Sequence, residues 1–315
     1  MKKISKILAA NRSEIAIRIF RAAEESGIKT AAIYSKEDRF AIHRFKTDES
    51  YLVGEGKGPI QAYLDIDSII KIAKDAKVDA IHPGYGFLSE SPELAEQCEK
   101  NDITFIGPSK QILKRFGNKT EAKKVAQDAS VKTVPSVLVS KENIKTVEKE
   151  VDKIGYPVIV KASWGGGGRG MRVVLEPDNL LEQIEFAQSE SKKAFGKDEV
   201  FIEKFLEDAA HIEVQILGDN YGNIVHLYER DCSLQRRHQK IIERAPAHFL
   251  EQTSRENICQ SAVKIAKHVN YCGAGTVEFL YDKKNNQHYF IEVNPRIQVE
   301  HTVTEEVTGI DIVKA

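Results

Sequence analysis

The sequence predicts an α/β protein, a parallel-sheet N-terminal domain followed by a larger region with a small inserted unit. Three observations carry this. Short apolar runs alternate with amphipathic helical stretches over the first hundred residues, as in a parallel sheet covered on both faces. A run of glycines, Gly165, Gly166, Gly167, Gly168 and Gly170, lies between two strand-like segments. Near the end, two β-branched and aromatic runs, 276–282 and 288–294, flank a polar turn rich in Asn, the mark of two antiparallel strands.

In order, residues 4–10 read as a buried strand and 13–26 as a helix with Ile15, Ile19 and Ala22 on one face and Gly27 ending it. A strand at 30–34, a helix at 66–76, a strand at 80–82, a helix at 92–100 and a strand at 104–106 continue the alternation. Gly107-Pro108-Ser109 marks a boundary, giving a domain at 1–110 and a second at 111–315. The second opens with a helical stretch, 111–128. A unit at about 135–205 follows, with strands at 136–139, 157–162, 171–174 and 199–205 and helices at 144–154 and 179–191. Then come strands at 211–217 and 224–230, a loop through Arg244, a helix at 254–269 and the hairpin. Residues 304–315 are expected to begin a helix with no cap, leaving Val307, Ile310 and Val313 in need of a partner surface, as if the chain were cut inside a larger protein.

With 315 residues, 41% hydrophobic and 30% charged, the chain can bury two or three cores. A net charge of −1 argues against a dedicated nucleic-acid binder. No segment is long and apolar enough to span a membrane. Cys98, Cys232, Cys259 and Cys272 fit neither a zinc site nor a disulfide framework, which points to a reducing, cytoplasmic setting.

The hairpin bears the chemistry. Glu292 and Asn294 share a strand face. A turn centred near Asn285 sets Glu278 opposite Glu292. Facing carboxylates destabilise a sheet unless a hard divalent cation sits between them. A slip of one residue would instead send one glutamate to solvent, leaving an ordinary edge hairpin. The glycine run can cradle phosphate with backbone amides, but lacks the P-loop lysine and is followed by a strand, which excludes the Rossmann fingerprint. Lys161, ending a buried strand beside it, can reach a nucleotide phosphate; Lys119 is a weaker candidate. The charge-dense run 229–240 reads as an active-site loop for anions. Arg296 is an anion clamp and Glu300 a base in the same reading, which amounts to phosphoryl transfer that activates a small acid.

These stretches resemble the biotin carboxylase members of the ATP-grasp superfamily. The motifs are Ile-Glu-Val-Asn-Pro-Arg-Ile-Gln-Val-Glu-His at 291–301, Gly-Gly-Gly-Gly-Arg-Gly-Met at 165–171 and Arg-Asp-Cys-Ser-Leu-Gln-Arg-Arg-His-Gln-Lys at 230–240. Ala-Asn-Arg-Ser-Glu-Ile-Ala at 10–16 and His-Pro-Gly-Tyr-Gly-Phe-Leu-Ser-Glu at 82–90 add support. Residues 48–54 and 56–64 narrow the resemblance to members that serve pyruvate carboxylation rather than acetyl-CoA or propionyl-CoA carboxylation.

The resemblance implies an ATP-grasp fold with a glycine-loop lid. It implies carboxylation of biotin, borne on a carrier domain, from bicarbonate and ATP with Mg2+ or Mn2+, inside a homo-oligomer. It places Glu278, Glu292 and Asn294 on the metal, and Lys119, Lys161, Glu203, Lys204, Leu206, His211, Gln235 and His238 on ATP under the lid of Gly165–Gly168. Lys240, Arg296, Gln298 and Val299 would bind bicarbonate, Glu300 would deprotonate it, Arg296 would steady the biotin enolate, and Tyr85 would lie beside the biotin ring. Ser13 in place of glycine, Trp164 in place of a small residue and Ala210 in place of a basic one depart from the family pattern. The family domain continues past residue 315 and there supplies a further arginine, so the alternatives are the biotin carboxylase part of an acetyl-CoA or propionyl-CoA carboxylase, another ATP-grasp ligase that activates a different carboxylate, and a nucleotide-binding but non-catalytic fragment.

Overall fold

The structure, a computed structural model, describes residues 3–140, 143–144, 146–163, 171–237 and 239–315. The glycine run, Trp164 and His238 lie outside them. Among the described residues the strands form three sheets.

The first sheet is built from β1 (Lys6–Ala9), β2 (Lys29–Tyr34), β3 (Glu49–Leu52), β4 (Ala80–His82) and β5 (Thr104–Phe105), all parallel in the order β3-β2-β1-β4-β5. Helix α1 (Ser13–Glu25) covers one face; α2 (Pro59–Tyr63), α3 (Ile66–Asp75) and α4 (Pro92–Lys100) accompany the other. Alternation along β1 divides the work. Ile7 and Ala9 pack with Ile15, Ile19 and Phe20, whereas Leu8 and Ala10 pack with Ile69, Ile72 and Leu94. Each fully buried Ile or Leu of this kind contributes about 1.5–3 kcal/mol. Leu227 and Ile297 from the later region join the α1 face, fixing this sheet against the site. Sequence patterning missed β3 and α2, because β3 is a half-buried edge with little apolar content.

Residues 111–128, expected as one helical stretch, form two helices, α5 (Lys110–Phe116) and α6 (Lys119–Asp128). The break falls at Gly117-Asn118. The Asn118 side chain accepts from the amides of Thr120 at 2.9 Å and Glu121 at 3.1 Å, starting α6 afresh. That cap puts Lys119 on the first turn.

The second sheet runs β6-β9-β7-β8, antiparallel throughout: β6 (Ser136–Val139), β7 (Val158–Ala162), β8 (Arg172–Val174) and β9 (Val200–Lys204). Helices α7 (Val147–Ile154) and α8 (Leu180–Phe195) bury Val151, Leu180 and Ile184 against Val158, Val160 and Ile202. The other face carries Ile159, Lys161, Phe201 and Glu203, since Lys161 pairs with Phe201 and Glu203 with Ile159.

The third sheet is antiparallel, in the order β12-β11-β10-β13-β14: β10 (Ala209–Gly218), β11 (Ile224–Arg236), β12 (Gln239–Arg244), β13 (Gly273–Asp282) and β14 (Gln287–Asn294). Helix α9 (Gln252–His268) and α6 cover one face, burying Ile212, Val214, Val277, Phe279, Phe290 and Val293. Two expectations are corrected here. The charge-rich run 229–240 is not a loop: β11 continues to Arg236 and returns as β12. The polar side chains had hidden the strand, because its alternate positions face a site rather than an apolar core. The last helix, α10 (His301–Thr308), begins earlier than expected and is closed by Gly309 in the left-handed conformation, φ +71°. Val313 packs on the α1 face, while Val307 and Ile310 stay largely exposed.

Candidate active site

The site is one row of charged side chains on the open face of the third sheet. Arg230 on β11 pairs with Glu213 on β10, Glu213 with Glu278 on β13, and Glu278 with Glu292 on β14. Three carboxylates therefore lie side by side on neighbouring strands. Two such charges about 5 Å apart repel by about 3 kcal/mol at an effective dielectric constant near 20. Cations offset this. Lys240, on β12, donates to Glu278 at 2.9 Å, to Glu300 at 2.8 Å and to Glu213. His211 lies 2.8 Å from Glu278, and Lys119 2.6 Å from Glu292.

Burial and pairing set the protonation states. Burial works to neutralise Glu278, but His211 and Lys240 outweigh it and hold the carboxyl well below the usual range. Burial likewise presses on Lys240, yet Glu278, Glu213 and Glu300 raise its pKa, so the ammonium persists. Burial opposes charge on Glu300 too, and Lys240 overrides it, keeping the carboxyl low. His211 is pulled up by Glu278 against the effect of burial. Lys119 is raised in the same way by Glu292.

The remaining expected residues join this row or flank it. Asn294 donates to Glu278 at 2.8 Å and accepts from Arg296 at 3.1 Å. Arg296 also bonds Glu90 at 2.7 Å, tying the site to the loop after β4. Gln298 is buried and its amide lies 3.3 Å from Glu278. Val299 is exposed. Gln235 bonds the His211 ring at 2.9 Å. Tyr85 bonds Glu14 and packs on the cluster that holds Ile297.

Lys161 and Glu203 form a second group on the open face of β7 and β9, paired at 2.5 Å. Glu203 is shared with Lys123 of α6. Burial works against the Glu203 charge, and the two lysines reverse that and hold its pKa low. Lys204 donates to the carbonyls of Gly155 and Tyr156, and Leu206 follows β9 half-buried.

Sequence reading missed Glu213, Arg230 as a buried centre, and Lys123. Glu213 had a visible signal: His211, Glu213 and Gln215 alternate with Ala210, Ile212, Val214 and Ile216, a polar face on a strand whose other face is apolar. Lys123 had none, because a helical lysine is usually solvated.

Glu278 and Glu292, opposite each other on β13 and β14, are carboxylates that could hold a divalent cation; Asn294 turns its NH2 to Glu278 and its oxygen to Arg296, and among the described residues one set of donor atoms lying within 4.8 Å of one another belongs to His211, Glu213 and Glu278. The glycine-run lid is not among the described residues. A parallel-sheet unit, an antiparallel lid sheet and a mixed row of acids and bases on a third sheet define a nucleotide-binding protein of the ATP-grasp class. Family models match at residues 3–113, Biotin carboxylase, N-terminal domain, and at 118–315, Carbamoyl-phosphate synthase L chain, ATP binding domain. The biotin carboxylase–β-γ-ATP complex from Campylobacter jejuni is 46% identical with a TM-score of 0.95, covering 99% of this chain and 70% of that one. The biotin carboxylase domain of Hydrogenobacter thermophilus 2-oxoglutarate carboxylase, solved with MgADP, ADP and bicarbonate, is 46% identical with a TM-score of 0.94, covering 100% of this chain and 69% of that one. The chain belongs to the biotin carboxylase family. Pyruvate carboxylase of Bacillus subtilis (strain 168) is 57% identical over 313 residues, 99% of this chain and 27% of that protein, so the chain spans about a quarter of that relative's length.

Proposed function

We propose that this chain is the biotin carboxylase part of a pyruvate carboxylase, making carboxybiotin from bicarbonate, ATP and biotin through carboxyphosphate. Its identity to the Bacillus subtilis enzyme supports the pyruvate assignment over acyl-CoA carboxylation. One observation carries the chemical reading. Lys240 bonds Glu278 and Glu300 at once, so the row suited to a metal and the base at the start of α10 share one ammonium.

In this reading residues 1–110 form the N-terminal domain, and 111–315 the ATP-grasp domain with its lid near 135–205. Lys119 and Lys161 hold ATP phosphates, with His211 and Gln235 alongside. Glu203, Lys204 and Leu206 line the adenine hinge; the Glu203 and Lys204 side chains are occupied, so main-chain groups remain for the base. Glu278, Glu292 and Asn294 hold Mg2+, which when bound neutralises phosphate charge. Lys240, Arg296, Gln298 and Val299 form the bicarbonate pocket. Glu300, ionised at neutral pH, takes the bicarbonate proton as the anion attacks the γ-phosphate. Carboxyphosphate then splits into carbon dioxide and phosphate, the phosphate takes the ureido N–H proton of biotin, and the enolate, held beside Tyr85 with Arg296 on its oxygen, captures the carbon dioxide, while water exclusion protects the intermediate. A biotinylated carrier domain, a homo-oligomeric whole protein and a cytoplasmic location complete the proposal. No described helix is long and apolar enough to cross a membrane.

The test is ADP release with and without bicarbonate. Bicarbonate-stimulated release, enhanced by free biotin, is expected, and release indifferent to bicarbonate rejects the reading. Glu300→Gln is expected to abolish the bicarbonate-dependent part and leave MgATP binding intact.

A further inference from the structure

Arg230 is fully buried, the largest such side chain among the described residues. Its guanidinium uses all five N–H donors. Nε donates to Glu213 Oε1 at 2.5 Å; one terminal nitrogen donates to Gln215 Oε1 at 2.9 Å and Thr304 Oγ1 at 2.7 Å; the other donates to Gln298 Oε1 at 2.8 Å and Thr276 Oγ1 at 3.3 Å. The acceptors come from β10, β13, the segment after β14, and α10. A buried charge satisfied this fully is held in one orientation, and a lysine with three donors cannot replace the fork.

Two of these bonds reach the site. Glu213 has one oxygen on Arg230 and the other on Lys240. Gln298 has its oxygen on Arg230 and therefore turns its NH2 toward Glu278. An amide is nearly symmetric in shape, and two bonds choose which end faces the pocket: Glu278 accepts from the NH2 at 3.3 Å, and Arg230 donates to the oxygen at 2.8 Å, the shorter of the two. We infer that Arg230 is a positioning residue for bicarbonate. It presents the Gln298 amide as a donor and holds Glu213 where it steers the Lys240 ammonium, without touching substrate itself. This rests on the bicarbonate pocket of the proposed function. Lys119, Lys161 and Glu203, on the ATP side, bond partners other than Arg230, so Arg230 acts first on the anion and reaches the MgATP side only at second hand, through Glu278, which Lys240 and Gln298 both touch.

The experiment compares Arg230→Lys with Thr304→Val in the complete protein. Thr304→Val removes one acceptor that is not part of the site, and reports purely structural loss. Arg230→Lys is expected to raise the KM for bicarbonate at least tenfold while the KM for MgATP stays within about twofold, and Thr304→Val to lower Tm with neither KM changed. Equal changes in both KM values, or a lowered Tm with the bicarbonate KM untouched, overturn the positioning role. A wild type indifferent to bicarbonate would instead indict the proposed function. A second readout then still decides the inference: hydrogen exchange of the Gln298 side-chain amide by NMR. Faster exchange in Arg230→Lys is expected, and unchanged exchange overturns it.

Discussion

Glu278 and Glu292 face each other across β13 and β14 only because Ile291 is an extra residue in β14. The turn at 283–286 joins Asp282 to Gln287, and unbroken pairing from there would set Glu278 against Ile291 and turn Glu292 to the side of Phe290. The register shifts between Glu278 and Phe279, so Phe279 pairs with Phe290 on the core face and Glu278 with Glu292 on the open face. Bulges re-aim side chains in this way beside functional sites.

The two glutamates of that pair should respond differently to neutralisation. Glu278 is buried, and Glu278→Gln leaves His211 without its carboxylate while Lys240 keeps Glu213 and Glu300, which should cost about 2–3 kcal/mol of stability. Glu292 is 27% exposed and paired to a lysine that is 21% exposed, so Glu292→Gln should cost less than about 1 kcal/mol. Both should weaken MgATP binding at least tenfold. Denaturant unfolding and the MgATP-induced rise in Tm check the two effects separately.

Lys123 and Lys161 share Glu203 between α6 and the lid sheet. Burial lowers the Lys123 pKa, Glu203 resists this, and the Lys123 ammonium also lies 5.0 Å from the centre of the Phe201 ring. Lys123→Met leaves Glu203 to Lys161 alone, tightening that pair and drawing Lys161 away from its proposed place on the ATP phosphates. A stability loss of about 3 kcal/mol and weaker MgATP binding are expected by calorimetry.

Ser13 sits at φ +58°, the left-handed region that glycine occupies freely. Ser13→Gly should therefore stabilise the protein, by about 1 kcal/mol or less, with MgATP affinity unchanged. A lower Tm in this variant would show that Ser13 gains an interaction that offsets its backbone cost.

His82 accepts the Gly84 amide on Nδ1 at 3.0 Å. Burial, then His301 and Arg18, depress its pKa to about 4. A depressed folded value means that the stability it contributes is complete above the unfolded value near 6.5 and is lost as the pH falls toward about 4. His211 has the opposite sign, since its raised pKa favours the charged form. Tm should fall between about pH 6.5 and 4, and His82→Asn, which keeps an acceptor, should flatten that fall. Burial depresses His288 to about 4 as well, so His82→Asn removes one of at least two contributions, and an unchanged slope would reject His82 as a contributor.

Much of the site was legible because its chemistry is local in sequence. Residues 291–301 carry the proposed metal face and the proposed base within eleven positions, and alternation alone puts Glu292 with Asn294. Arg230 and Lys123 were not legible, because their roles consist of burial. Arg230 was one charge in a dense run until β11 placed it opposite Glu213.

By itself the sequence determined the alternation of the N-terminal layer, the existence of the hairpin, and the residue types that meet there, since all three follow from periods of 2 and 3.6 along the chain. Only the tertiary structure decided the row Arg230, Glu213, Glu278, Glu292. That row depends on the pairing of four strands far apart in sequence and on a one-residue bulge. Side-chain facing inverts with each single step of register, and local periodicity contains nothing that fixes register between distant strands.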